Sequence, residues 1–213
     1  MQLIGMLDSP YVRRCAVSLQ LLGLPFEHRP VSVFRTYEEF RAINPVVKAP
    51  TLICDDGTVL MDSSLILDYA ESLAHPARSL MSPLPAQRLR ALRLIGLALA
   101  ACEKTVQIIY ERLLRPVEKQ HEPWIARVTA QLTAAFGELE AELGRRPSPI
   151  EAGAIDQAGV TTAVAWHFTH VKLPGTLRED SFPRLRAVSE WAESSPPFKA
   201  APCAEVTMRT PLR

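Results

Sequence analysis

The chain has almost no net charge: 24 Lys and Arg stand against 23 Asp and Glu, a formal +1. That balance gives no case for nucleic acid or an acidic membrane surface as partner. No apolar run reaches the ~20 residues needed to span a bilayer. The N-terminus lacks the basic, apolar, small-residue order of a signal peptide. Cysteine is scarce and scattered. Cys15, Cys54, Cys102 and Cys203 form no C-x-x-C and have no metal-ligand spacing, so no metal site is expected. The first three fall inside apolar patterns and read as buried small hydrophobes. With no export signal they fit a reducing, cytoplasmic setting. The five histidines are equally dispersed. His28 in a predicted strand, and His167 and His170 on a predicted helix, read as structural or exposed groups.

What is present begins at Ser9-Pro10-Tyr11-Val12-Arg13-Arg14. A short apolar run, Leu3 to Leu7, precedes it and reads as a buried strand. A helical pattern follows, with Val12, Ala16, Leu19 and Leu22 on one face. Pro10 suits the first helical position, where an N–H would have no intrahelical partner. Ser9 then stands at the N-cap, where free N–H groups and the helix dipole favour negative charge. Its hydroxyl can cap its own helix or donate to a bound anion, and this stretch alone leaves both readings open. Arg13 and Arg14 read as solvated or ion-paired, and Cys15 as core.

Gly23 and Pro25 end that helix. Phe26 to Val31 reads as a second strand, which gives a right-handed βαβ unit with a parallel pair. A short helix spans residues 36–42 and breaks at Asn44-Pro45. Lys48-Ala49-Pro50-Thr51-Leu52-Ile53-Cys54 follows as a strand with proline at its start. A cis Ala49–Pro50 bond is compatible with this, against a base rate of only about 5–6% for X–Pro bonds. Asp55-Asp56-Gly57 is a tight hairpin turn and Val59 to Met61 the returning strand. Asp62-Ser63-Ser64 opens a third helix carrying Leu65, Ile66, Tyr69 and Leu73, again with hydroxyls where a cap belongs. The order β-α-β, short helix, β-hairpin, α is that of a thioredoxin-like fold. Thioredoxin places C-x-x-C where this chain has Ser9 to Val12. Cycling a disulfide takes two thiols, so dithiol redox chemistry is excluded there.

Residues 1–75 therefore read as the thioredoxin-like α/β domain, 76–85 as a proline-rich linker, and 86–213 as an all-α helical bundle. The bundle's first long helix runs to Arg115 with Leu89, Leu92, Leu99, Val106, Ile109 and Leu113. A second, from about Pro123, carries Trp124, Ile125, Val128, Leu132, Phe136, Leu139 and Leu143. Arg145 to Pro149 is a loop. A nearly all-apolar helix from about Gln157 to His170, with Asp156 as its N-cap, belongs at the bundle centre. A last amphipathic helix covers about Phe182 to Glu193, and Pro196-Pro197 begins a tail.

This organisation resembles the cytosolic glutathione transferases, of a serine-type, bacterial-like kind, over essentially the whole chain. Ser9-Pro10-Tyr11 is similar to the family's S/C-P-F/Y catalytic turn. Asn44 to Leu52 is similar to N-P-x-G-K-V-P-x-L, and Leu60 to Ile66 to L-x-E/D-S-x-A-I. Three such motifs in order and at the right spacing make a specific signal. Val47 replaces the usual glycine before the lysine, so the loop backbone is open to change. The capping box of the central helix ends in Gly159 instead of Asp, which removes its reciprocal side-chain bond.

The resemblance implies a glutathione transferase of the detoxification type, with glutathione as co-substrate, a small hydrophobic electrophile as second substrate, and a homodimer with its seam on the first long helix. It implies catalysis by Ser9, whose Oγ would donate to the thiol sulfur. Ser63 would hold the γ-glutamyl carboxylate, Asp62 the ammonium and Lys48 the glycyl carboxylate. A cis Pro50 would turn the Ala49 backbone outward to pair with the cysteinyl residue. Tyr11 is the runner-up donor and, with Tyr110 and Trp166, a candidate wall for an electrophile site between the domains. Bundle core is the alternative for Trp166. A glutathione-dependent isomerase or dehalogenase on the same site stays open, although maleylacetoacetate isomerases carry a denser serine motif than Asp8-Ser9-Pro10-Tyr11. A thiol reductase would need Cys at position 9. A non-catalytic binding or regulatory protein is the third reading, and the intact Lys48, Pro50, Asp62 and Ser63 set argues against it.

Overall fold

The computed structural model describes residues 1–145, 150 and 153–203. Most of the expected loop from Arg145 to Pro149, and the end of the C-terminal tail, lie outside them. The chain divides into two compact units. One comprises Met1–Pro83 together with the stretch that begins at Ser194, and the other runs from Leu84 to Glu193.

The first unit is built on a four-stranded mixed sheet. Its strands are β1 (Gln2–Ile4), β2 (Glu27–Arg29), β3 (Thr51–Ile53) and β4 (Val59–Met61), in the order β2-β1-β3-β4. β1 runs parallel to β2, with Leu3 opposite His28. It runs antiparallel to β3, with Leu3 opposite Leu52, and the β3–β4 hairpin closes the edge. Alternation puts Ile4 on one face, where it packs with Val31 and Phe40. Phe40 comes from α2 (Tyr37–Ile43). On the helical side, α1 (Pro10–Leu22) packs against β1 and against α3 (Ser63–Leu73). This is the thioredoxin-like arrangement.

α1 buries Val12, Ala16, Leu19 and Leu22 as the pattern requires. It also buries Arg13, Arg14, Cys15, Val17 and Ser18, so it has almost no solvent face. One cause is the chain's end. A short helix α8 (Pro196–Lys199) packs on α1, so the segment expected as a tail of the helical domain belongs to the first unit. α3 is rotated from the sequence expectation: Ile66, Leu67 and Ala70 are buried, while Leu65 and Leu73 face solvent.

The second unit contains α4 (Pro85–Leu113), α5 (Glu122–Leu143), α6 (Gln157–Lys172) and α7 (Pro183–Ser194). α4 packs on α5 and on α6. α6 is buried through most of its circumference, as its composition demands. Its Ala, Gly and Thr positions admit a close neighbour, and α4 meets this partnership with its own small residues. Ala91, Ala98, Ala101, Cys102 and Thr105 turn inward with Leu94, Ile95, Ile108 and Ile109. Leu89 is 70% exposed and Leu92 50%, so these two leucines of the pattern lie outside, while its Ile109 is buried. Thr105 and Thr169 hydrogen-bond at 2.8 Å inside this contact.

Polar groups close the helix ends. Asp156 accepts from the Gly159 N–H at 2.7 Å, the expected N-cap. A Cβ at Gly159 would meet Ile155 Cγ1 at 2.7 Å, so the departure from the capping box makes room for Ile155. Glu140 of α5 is buried and accepts from the N–H groups of Arg184 and Leu185 at the start of α7. Among the described residues, no helix is long and apolar enough to cross a membrane.

Candidate functional site

The loop from Asn44 to Pro50 is held by side chains from its own sequence. Asn44 Nδ2 donates to Thr51 Oγ1 at 2.9 Å, and Thr51 Oγ1 donates to the Lys48 carbonyl at 2.8 Å. Asn44 Oδ1 accepts from the Val46 N–H at 3.0 Å. Val47 takes φ 52°, the left-handed conformation suited to the glycine it replaces. The backbone path therefore keeps the glycine form despite the side chain. Val47 is half-buried and packs against the Ile4, Val31 and Phe40 cluster. Ala49–Pro50 is cis.

Gly5 connects this loop to α1. Its φ of 139° suits glycine, and a Cβ there would lie 2.6 Å from Val12 Cγ2 and 3.2 Å from Ala49 Cβ. The missing side chain lets the Ala49 turn approach the first turn of α1.

Ser9 is the N-cap residue of α1 by backbone, at φ −78° and ψ 125°, with Pro10 at the first helical position. Its side chain makes no capping hydrogen bond. Of the two readings the sequence left open, self-capping is not the one adopted. The hydroxyl stands half-buried at a helix N-terminus whose first-turn amides have no intrahelical acceptors.

At α3 the cap is Asp62, not a serine. Its carboxylate accepts from the Ser64 N–H at 2.9 Å, with the residue at φ 73°. The other oxygen lies 3.6 Å from Lys48 Nζ. Both side chains are about half-exposed, so this ion pair contributes at most about 1 kcal/mol. The loop lysine and the α3 carboxylate, assigned to different parts of one ligand, thus stand side by side. Ser63 is buried, and its hydroxyl accepts from Arg14 Nη1 at 3.0 Å.

Sequence reasoning missed the two arginines. Each is only 2% exposed. Arg13 Nε donates to the Ala201 carbonyl at 2.8 Å, with its guanidinium carbon 5.4 Å from the Phe198 ring centre. It ties α1 to the C-terminal segment. Arg14 ties α1 to the start of α3. No local signal marked them: Arg14 and Ser18 stand four residues apart, as on an ordinary polar helix face, yet both are buried.

Burial pushes the Cys15 thiol up to about 12, which makes it a core group and no nucleophile. Cys54 is raised in the same sense by burial. Among the described residues the four cysteines form no disulfide. Tyr11 is half-buried on α1 and Tyr110 is exposed on α4. Trp166 is 4% exposed, edge-on to Phe136 at 5.2 Å and to Phe182 at 5.5 Å. It occupies the core of the helical unit, the alternative already weighed for it.

Residues 3–78 match the family described as glutathione S-transferase, N-terminal domain. Maleylacetoacetate isomerase of Pseudomonas aeruginosa is 28% identical over 200 residues, covering 88% of this chain and 89% of that protein. A glutathione S-transferase from Methylobacterium radiotolerans, solved in complex with glutathione sulfonate, has a TM-score of 0.87 at 26% identity and covers 99% of both chains. A glutathione transferase family member from Pseudomonas fluorescens Pf-5, with bound S-(propanoic acid)-glutathione, has a TM-score of 0.78 at 28% identity. That match covers 94% of this chain and 98% of the other.

Proposed function

We propose that this chain, which belongs to the glutathione transferase family, binds glutathione in its first unit and uses the tripeptide's thiolate to attack a small hydrophobic electrophile. One observation carries the reading: the Ser9 hydroxyl stands at a helix N-terminus and does not cap it. The similar structures that hold glutathione derivatives support the choice of ligand.

Glutathione carries two carboxylates, one ammonium and one thiol, and the site offers a group for each. The N-terminus of α3, with the Ser63 amide and hydroxyl, takes the γ-glutamyl carboxylate. Asp62 takes the ammonium. Lys48 takes the glycyl carboxylate, giving up its 3.6 Å contact with Asp62. The Ala49 backbone pairs with the cysteinyl residue beside Pro50. Ser9 Oγ donates to the sulfur.

The energies are sufficient. A free thiol of pKa about 8.5 is only about 3% thiolate at pH 7, and two units of lowering requires about 2.7 kcal/mol. A hydrogen bond to a charged group supplies about 1.5–3 kcal/mol. A helix N-terminus adds up to about 2 kcal/mol. The gain in thiolate is about 25-fold, so further acceleration comes from holding the electrophile against the sulfur. In the transfer step the sulfur lone pair forms the new C–S bond. The leaving group departs with its electron pair, or an addition is completed by protonation.

A second reading is favoured by the likeness to the Pseudomonas aeruginosa isomerase. On the same site, the thiolate adds to a conjugated cis double bond. The resulting single bond rotates, and loss of the thiolate restores the alkene in trans form, with no net consumption of glutathione. The sparse serine motif around Ser9 weighs for conjugation. A homodimer in the cytoplasm fits either reading, and exposed Leu89 and Leu92 on α4 suit such a seam.

Calorimetric titration of glutathione tests the proposal. Saturable binding to wild type, lost in Asp62→Ala and Ser63→Ala, is expected. Absence of binding to wild type would overturn it and favour a protein partner for the helical unit. Turnover of a conjugation substrate against a cis-dienone then separates the two chemistries. A sedimentation run at micromolar concentration tests the dimer, which a monomer would contradict.

A further inference from the structure

We infer that Arg14 is a positioning residue for the γ-glutamyl carboxylate of glutathione, acting by presetting the Ser63 hydroxyl as a donor. The inference rests on the proposed glutathione site. A guanidinium donates hydrogen bonds and cannot accept them. The 3.0 Å contact from Arg14 Nη1 therefore commits Ser63 Oγ as acceptor on that side. The one hydroxyl proton must point elsewhere. Ser63 is the first residue of α3, and among the described residues its hydroxyl takes part only in the bond it accepts from Arg14 and donates none. The proton is thus left for a group arriving at the helix N-terminus. A charge-assisted bond to the oxygen also polarises the O–H and strengthens its donation.

Arg14 holds more than this one atom. The same Nη1 lies 3.3 Å from Ser64 Oγ, and Cys15 Sγ lies 3.7 Å from the Ser63 carbonyl. Two consecutive residues of α1 thus hold both the side chain and the main chain of Ser63. Ser9 lies five residues before Arg14 on α1, an axial rise of about 7.5 Å. The proposed sulfur site and carboxylate site are therefore fixed to each other through one buried side chain. An arginine that only joined two helices would be indifferent to the charge on the ligand, and that difference is measurable.

The experiment compares glutathione with γ-aminobutyryl-cysteinyl-glycine, the same tripeptide lacking the α-carboxylate of its first residue. Both are titrated calorimetrically into wild type, Arg14→Met and Arg14→Lys. Arg14→Met is expected to weaken glutathione binding about tenfold or more, the scale of a lost bond to a charged group, and to change binding of the decarboxylated peptide less than about twofold. Arg14→Lys keeps the cation and one donor, and is expected to lose about half as much in free energy with the same selectivity. It serves alone if the methionine variant does not fold. Equal losses for both peptides, or no loss for either, would overturn the role of Arg14 and leave the glutathione site standing. Failure of wild type to bind glutathione would overturn both.

Discussion

Two strand-to-helix turns in the first unit carry serine, and the fold treats the hydroxyls differently. At α1 the serine is the N-cap by backbone, yet its side chain makes no capping bond. At α3 an aspartate does the capping, and the serine beside it is buried and accepts from an arginine. One hydroxyl is left without a capping bond at the end of a dipole, as the proposed thiol donor requires. The other accepts from a guanidinium, as the proposed carboxylate site requires. Residue type alone does not separate these two roles. The neighbours do.

The largest expected effect is at α3. Asp62→Ala removes both the cap and the partner for the ammonium. Glutathione affinity is expected to fall about 100-fold and stability by about 1 kcal/mol. Asp62→Asn separates the two losses, because its side-chain oxygen still caps Ser64 and asparagine tolerates positive φ. Its denaturation midpoint should match wild type while calorimetry still reports weakened binding. Ser9→Ala comes next. It should weaken glutathione binding at pH 7 by no more than about fourfold and lower kcat there by up to about 25-fold, the thiolate fraction lost. An equal loss of binding would place Ser9 among the carboxylate-site residues and erase the contrast.

Smaller effects lie away from the two turns. Asp156→Ala removes the cap of α6 and should cost about 1 kcal/mol in urea unfolding without touching glutathione affinity. Glu111 accepts from the His121 N–H at 2.9 Å and from Arg115 Nε at 2.8 Å. The His121 bond first, and then Arg115, hold its pKa below the ordinary 4.5. A depressed carboxylate stabilises the fold above its unfolded pKa, and that contribution is lost as pH falls through the folded value. The stability of Glu111→Gln should therefore depend less steeply on pH below 4.5 than that of wild type, read as thermal midpoints across acid pH. Val47→Gly is the smallest. Relief of about 1–2 kcal/mol at positive φ opposes a comparable loss of packing, so the urea midpoint should stay within about 1 kcal/mol of wild type.

The elements that the sequence made legible are those whose signal is local. Pro10, Gly23 and Asp156 mark helix ends by backbone chemistry that needs no partner. The α5 stripe is one-sided and buried as read from Ile125 to Leu143, while Trp124 at its start is exposed. α4 did not emerge as read, because its inward face is chosen by α6. A helix that offers Ala, Gly and Thr is met by Thr105 on a face shared with Ala98, Ala101 and Leu94, which leaves Leu89 and Leu92 outside. The site divides the same way. Lys48, Pro50, Asp62 and Ser63 lie in stretches with recognisable spacing. Arg13 and Arg14 owe their importance to Ala201 and Ser63, at sequence separations of 188 and 49 residues. No local pattern encodes such partners.

The contrast between the two turns comes down to the sulfur. Ultraviolet titration of the thiolate of bound glutathione, in wild type and in Ser9→Ala, measures it directly. The account predicts a bound-thiol pKa about two units below the free value in wild type, and a rise toward the free value in the variant with glutathione still bound. Identical titration curves for the two proteins would contradict it.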